Sequence, residues 1–294
     1  MAITAGMVKE LRTMTGAGMM DCKKALAETD GDIDAAVEFL RKKGMAGADK
    51  KAGRVAAEGR IAIAVSDDKK KAVIAEVNCE TDFVAKGDEF KEFADEIASI
   101  ALASGTTDIE ALMGEKMASG ETIDHRRREL IAKIGENMAV RRLEMIETNG
   151  QIGQYQHGEK IGVVVDMTGG DEALSRDVAM HVAAAKPTAV SVDDVDQEMV
   201  AKERAFQIDQ AKESGKPMEI IEKMIEGRMR KFLQEITLMG QSFVKDPDQS
   251  VEKLLKANDA TVSTFVRLEV GEGVDIEELD FASEVAAAAK AVTG

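Results

Sequence analysis

One pattern occurs twice in this 294-residue chain and limits what it can fold into: two short alternating apolar runs joined by a polar turn, then a helix-period stretch. In the first copy, Arg60-Ile61-Ala62-Ile63-Ala64-Val65 and Lys71-Ala72-Val73-Ile74-Ala75-Glu76-Val77 flank the charged turn Ser66 to Lys71. Phe90, Phe93, Ile97, Ile100 and Ala101 then recur at helical spacing. In the second, Gln151 to Tyr155 leads through His157-Gly158-Glu159-Lys160 into Ile161-Gly162-Val163-Val164-Val165-Asp166, and Asp171 opens a helix with Leu174, Val178, His181 and Val182. Alternation buries one face of a strand, so each pair predicts a β-hairpin and each following stretch a helix that covers it. The chain is therefore expected to be α+β, with two repeated core subdomains at 57–145 and 146–273, each an antiparallel sheet with helices on one face.

The rest divides around these units. Residues 1–44 predict three short helices: Thr4 caps the first, Gly16-Ala17-Gly18 bends into the second, and Asp30-Gly31-Asp32 opens a third that Gly44 ends. This unit resembles the small ubiquitin-associated (UBA-like) three-helix fold. Residues 45–56 read as a linker, in part helical. Leu130, Ile131, Ile134, Met138 and Val140 predict a further helix. Residues 190–236 predict a projecting antiparallel helical hairpin, with a thin seam of Val195, Met199, Ala205 and Ile208 against Met218, Ile221, Ile225, Met229, Phe232 and Ile236. Such a seam suits pairing with a second copy, a homodimer through the hairpin. Thr261 to Val270 reads as a strand, and residues 274–294 as an acidic C-terminal helical module.

The first unit carries an insertion that the second lacks. Between strand and helix lies Val77-Asn78-Cys79-Glu80-Thr81-Asp82-Phe83-Val84, where the second copy has only Met167-Thr168-Gly169-Gly170. The extra residues are not needed to build the unit, which marks them for function. Read alone, Thr81 or Asp82 also serves as an ordinary helix cap and Phe83 as a core staple. Both readings stand at this level.

The chain offers little to an enzyme. Cys22 and Cys79 show no metal or redox spacing, and Cys79 beside a strand reads as a small buried hydrophobe. His125 lies in an arginine run at a helix start, His157 in a turn, and His181 on a core-like helix face. No phosphate loop of the Gly-Lys-Ser/Thr type is present, so neither a catalytic site, a cofactor nor a metal is expected. The formal charge is −16, divided between a near-neutral head of net +2 over residues 1–60 and a body of net −18. That balance argues against direct nucleic-acid binding, which draws on Lys and Arg. The absence of a long apolar run and of a signal-peptide core makes a cytoplasmic location, with no membrane partner, the expectation.

The insertion resembles a signature of the elongation factor Ts family. A second signature, Thr15-Gly16-Ala17-Gly18-Met19-Met20-Asp21-Cys22-Lys23-Lys24-Ala25-Leu26, matches the family's N-terminal motif. Others follow in order: Lys133-Ile134-Gly135-Glu136-Asn137, Tyr155-Gln156-His157-Gly158, Ala179-Met180-His181-Val182-Ala183, Gly227-Arg228-Met229 and Arg267-Leu268-Glu269-Val270-Gly271-Glu272-Gly273. The resemblance implies a guanine nucleotide exchange factor that binds elongation factor Tu and displaces its Mg²⁺ through Thr81, Asp82, Phe83 and Val84. It implies further partner contacts by Lys23, Ile134, Gly135, His157 and the C-terminal helix. The alternative is a non-catalytic helical adaptor that binds partner peptides through residues 1–44 alone.

Overall fold

The computed structural model describes residues 3–213 and 217–275. Three helices open the chain, α1 (Ala5–Thr15), α2 (Met19–Glu28) and α3 (Ile33–Lys51). Their boundaries follow local chemistry: Thr4 accepts the Met7 N–H at 3.3 Å, Gly16 takes the left-handed conformation at φ 67°, and Asp32 accepts the Ala35 N–H at 2.9 Å. Leu11, Cys22, Ala25, Leu26 and Ala36 form their shared core.

Contrary to the expectation that Gly44 ends it, α3 runs on through the stretch read as linker to Lys51. Gly44 is a crossing point. A Cβ there would stand 2.8 Å from the Ala132 Cβ on α7 (Ile123–Ile134), so the missing side chain lets the two helices touch. Arg41 to Glu121 at 3.2 Å and Arg128 to Asp49 at 3.2 Å flank the crossing.

The first sheet is antiparallel in the order β1 (Glu58–Val65), β2 (Lys71–Cys79), β3 (Met138–Glu147). Between β2 and β3 lie α4 (Asp82–Ala85), α5 (Asp88–Ser104), α6 (Ile109–Met113) and α7. Val73, Ala75 and Val77 of β2 pack on Phe90, Phe93 and Ile97 of α5 and on Leu130 and Ile131 of α7. Met138 and Val140 thus belong to a strand, a correction to the helix read through them. Gly135, left-handed at φ 94°, stops α7 before them. The strand's alternation is masked by a β-bulge: Glu76 pairs Arg142 while Val77 pairs Val140, leaving Arg141 as the extra residue.

The second sheet has the same order, β4 (Gln151–His157), β5 (Ile161–Thr168), β8 (Thr261–Glu269), with α8 (Glu172–Ala185) on its outer face through Leu174, Val178 and Val182. The expected repeat is present, each hairpin completed by a later strand. The inner faces of the sheets meet: Ile61, Ile74 and Ile146 pack on Ile152, Val164 and Leu268. At Gly162 a Cβ would lie 2.5 Å from the Ile61 Cγ2, so glycine sets the sheet spacing. The core is consequently helix, sheet, sheet, helix. β2 and β5 are buried on both faces because each is the middle strand of a covered sheet.

α9 (Gln197–Lys212) and α10 (Met218–Ile236) pair as the hairpin, followed by β6 (Ser242–Phe243), β7 (Asp246–Ser250) and α11 (Val251–Ala257). The α9 seam is Val200, Ile208 and Ala211 on Ile221, Ile225 and Met229; Met199 and Ala205 face outward. The 3.6-residue period rotates 199 and 205 off the face that 200, 208 and 211 share. The acidic helix expected over the C-terminal stretch lies outside the described residues, save Val274 and Asp275. Among the described residues no helix is long and apolar enough to cross a membrane.

Candidate functional site

The turn after β2 is held from two sides. Thr81 occupies the N-cap of α4, its Oγ accepting the Val84 N–H at 3.5 Å. The same hydroxyl donates to Glu136 Oε1 at 2.7 Å, and the Thr81 N–H donates to Glu136 Oε2 at 2.9 Å. In return the Glu80 carboxylate accepts the Asn137 N–H at 2.6 Å. Asn137 Nδ2 then donates to the carbonyls of Arg54 at 2.8 Å and Ala52 at 3.3 Å. Three segments distant in sequence, 52–54, 80–81 and 136–137, are thereby tied into one knot.

On this footing stands α4, a single turn. Ala85 is buried and Val84 half-buried against the first core, but Phe83 is 83% exposed. The cap reading of Thr81 holds, and the core-staple reading of Phe83 does not. Exposing a phenylalanine forgoes roughly 2 kcal/mol of burial, and the rigid turn beneath gives it no route inward.

Asp82 pairs with Lys86 at 2.6 Å, and that hydrogen bond holds the Asp82 carboxyl below its ordinary range. Both line an open groove with Gly59, Ala85, Glu159 and Lys160. The far wall is the β4–β5 turn, docked on β1 by the Glu159 carbonyl accepting the Ile61 N–H at 2.8 Å and by Lys160 pairing Glu58 at 2.8 Å. His157, exposed with its Nδ1 3.3 Å from the Tyr155 hydroxyl, ends β4 just before that turn.

The structure thus brings together Thr81 to Val84, Ile134 and Gly135 through the Glu136 contact, with the His157 turn across the groove. Ile134 packs half-buried on the first core, and Gly135 ends α7. Lys23 lies exposed on α2, and among the described residues no hydrogen bond or ion pair ties it to this cluster. Reasoning from sequence missed Glu80, Lys86, Glu136 and Asn137 as builders of the site. Glu136 and Asn137 stand within a recognised motif, which is the available signal.

Among the described residues, three other groups with reactive potential are tied into the fold. Burial, reinforced by Glu136 and Glu58, pushes the Cys79 thiol up to about 12, far from a thiolate. His181 is buried with Nδ1 accepting the Val244 N–H at 3.1 Å and Nε2 bonded to Gln241 Oε1 at 3.0 Å, a neutral imidazole whose pKa burial lowers. Glu121, His125 and Glu129 bring potential ligand atoms within 4.8 Å of one another, but the Arg41 guanidinium reaches into the same group, 2.6 Å from His125 Nε2. With Arg41, which pairs Glu121 at 3.2 Å, the trio forms a polar cluster where α3 meets the start of α7.

Known proteins share this chain's sequence over the site and beyond it. A family model described as "Elongation factor TS" matches residues 80–272, more than half of the chain and all of the knot except its 52–54 strand of contacts. A protein named "Elongation factor Ts" from Hydrogenovibrio crunogenus is 78% identical over 294 residues, all of both chains. Proteins of the same name from Methylococcus capsulatus and Alkalilimnicola ehrlichii are 58% and 57% identical, each over 99% of this chain and 99% or more of their own. The chain belongs to the elongation factor Ts family.

Proposed function

We propose that the chain is the guanine nucleotide exchange factor of elongation factor Tu, acting in translation elongation by binding the GDP form and loosening its nucleotide site. The observation that carries this reading is Phe83, displayed on a turn that the protein braces from below. A GTPase retains GDP through its phosphate loop and Mg²⁺. Phe83 wedges into the GTPase domain and supplies apolar binding energy. Asp82 competes for the groups that organise the ion, and Thr81 and Val84 fix the wedge. Ile134, Gly135 and His157 extend the contact around the groove, Lys23 adds one from the UBA-like headpiece, and the C-terminal module of residues 274–294 another. The domains follow as 1–44, the connecting stretch 45–56, 57–145 and 146–273 with the hairpin at 190–236, whose outer face is the surface for a second copy.

Linkage limits what such a factor does: whatever factor it takes from GDP affinity, GDP takes from its own. It speeds exchange without choosing the incoming nucleotide. Release of a fluorescent GDP analogue from elongation factor Tu is the test. The intact protein is expected to accelerate release, with Phe83→Ala and Asp82→Ala each losing about tenfold or more while circular dichroism stays unchanged. Acceleration that survives both substitutions removes the wedge; binding without any acceleration favours the adaptor, for which the exposed Met14, Met19 and Met20 of the headpiece would be the surface.

A further inference from the structure

The motif Lys133 to Asn137 contains a residue that the exchange reading leaves without a task. Glu136 lies 55 positions from Thr81, yet its carboxylate takes both hydrogens that Thr81 can give, N–H to Oε2 at 2.9 Å and Oγ–H to Oε1 at 2.7 Å. A carboxylate that receives two converging donors fixes its partner's backbone and rotamer together. With its proton committed to Glu136, the Thr81 hydroxyl is left to accept, and it caps α4 by accepting the Val84 N–H. Ala85 and Val84 seat the inner side of α4 on the core, and its N-terminal end, next to Phe83, is set from Glu136.

We infer that Glu136 is the positioning residue of the wedge: its carboxylate sets the aim of Phe83 without itself touching the partner. The reading rests on the proposed exchange function for its consequence, but the aiming itself is a property of the free protein. α4 is too short to hold a direction alone, since an isolated helical turn is unstable in water. Nor does Phe83 anchor itself, being solvent-exposed. The other braces are the burial of Ala85 with Val84 packed beside it, the Asp82–Lys86 pair, the Cys79 Sγ–H to Thr81 carbonyl contact at 3.2 Å and the Glu80 to Asn137 bond; they hold the backbone around the cap but leave the Thr81 side chain free to turn.

The chain contains no tryptophan, so Phe83→Trp introduces a unique reporter at the wedge. Time-resolved anisotropy of that indole is measured in the full chain without any partner, in Phe83→Trp alone and with Glu136→Ala, Glu136→Gln or Thr81→Ala added. The expected result is a slow decay in the Phe83→Trp parent and a clear rise in fast nanosecond amplitude on adding Glu136→Ala, with Glu136→Gln between them because an amide retains one acceptor oxygen. Thr81→Ala on top of Glu136→Ala should fall well short of additive, because the hydroxyl–carboxylate bond is lost to either substitution and only the cap on the Val84 N–H is lost to Thr81→Ala alone.

In the chain that keeps Phe83, the same substitutions are read by nucleotide release. A misdirected wedge should cost about tenfold or more in the maximal rate, with half-saturation changed less. Thermal melts separate this from loss of fold. Unchanged anisotropy in Glu136→Ala, or additive effects with Thr81→Ala, overturns the positioning role whatever release shows. A parent that does not accelerate release at all fails the exchange reading, and the anisotropy still decides for or against the aim of Phe83.

Discussion

Glu76 is fully buried and still charged, which requires compensation from every side. Its Oε2 accepts Arg141 at 2.8 Å and Arg142 at 2.5 Å, and its Oε1 accepts the Gly271 N–H at 2.8 Å and Asn78 at 3.0 Å. Burial pushes this carboxyl up; the Gly271 N–H, Arg142 and Asn78 outweigh it and leave it below its ordinary value of 4.5. A carboxyl lowered by folding stabilises the fold above its unfolded-state pKa and gives that up as pH falls through the folded-state value. Glu76→Gln should therefore cost about 2 kcal/mol at neutral pH, by taking the carboxylate from the half-buried Arg141 and Arg142. Melts from pH 7 downward check it: the gap between the two proteins should begin to narrow as pH falls below 4.5 and close only below the lower folded-state value, and a constant gap would disprove the assignment. The bulge at Arg141 is what makes the arrangement possible, since in a regular strand consecutive side chains point to opposite faces.

At the scale of elements, Gly44 offers a test with a sign. Replacing a mid-helix glycine with alanine ordinarily gains about 1 kcal/mol. Here the new methyl meets Ala132 at 2.8 Å, and overpacking costs about 1 to 3 kcal/mol. Gly44→Ala is expected to lower the melting temperature, and Ala132→Gly in the same chain to restore part of the loss; a stabilised Gly44→Ala would mean that the helices separate freely. The same position shows why some elements are legible in the sequence and others are not. β1, β2, β4, β5 and β8 are legible as short apolar runs bounded by turns, even though β8 has a register shift of its own, and Thr4, Asp32 and Ser250 cap where such residues should. β3 is hidden because its bulge shifts the period. Gly44 reads as a stop because sequence shows a missing side chain but not the neighbour that needs the space. Thr81 to Val84 stand out by being absent from the second unit, whereas the Glu136 contact spans 55 residues and has no local signal.

At the scale of the whole molecule, the two sheets share one order but differ in when they can be completed. β3 ends at Glu147, whereas β8 ends at Glu269, with α8 to α11 between β5 and its partner. During synthesis the first sheet can close early; β5 must wait with one edge unpaired. At about 5 to 20 residues per second that wait lasts roughly 5 to 20 s. Limited proteolysis of ribosome-bound chains stalled before and after emergence of β8 should find β1 to β3 resistant in both and β4 to β5 resistant only in the later one. Early protection of β4 to β5 would show that the sheet contact alone suffices. An open, apolar middle strand is a template for pairing with a neighbouring chain. The family's repeated architecture thus leaves its second half exposed to misassociation on the polysome for most of the time that the first half is already folded.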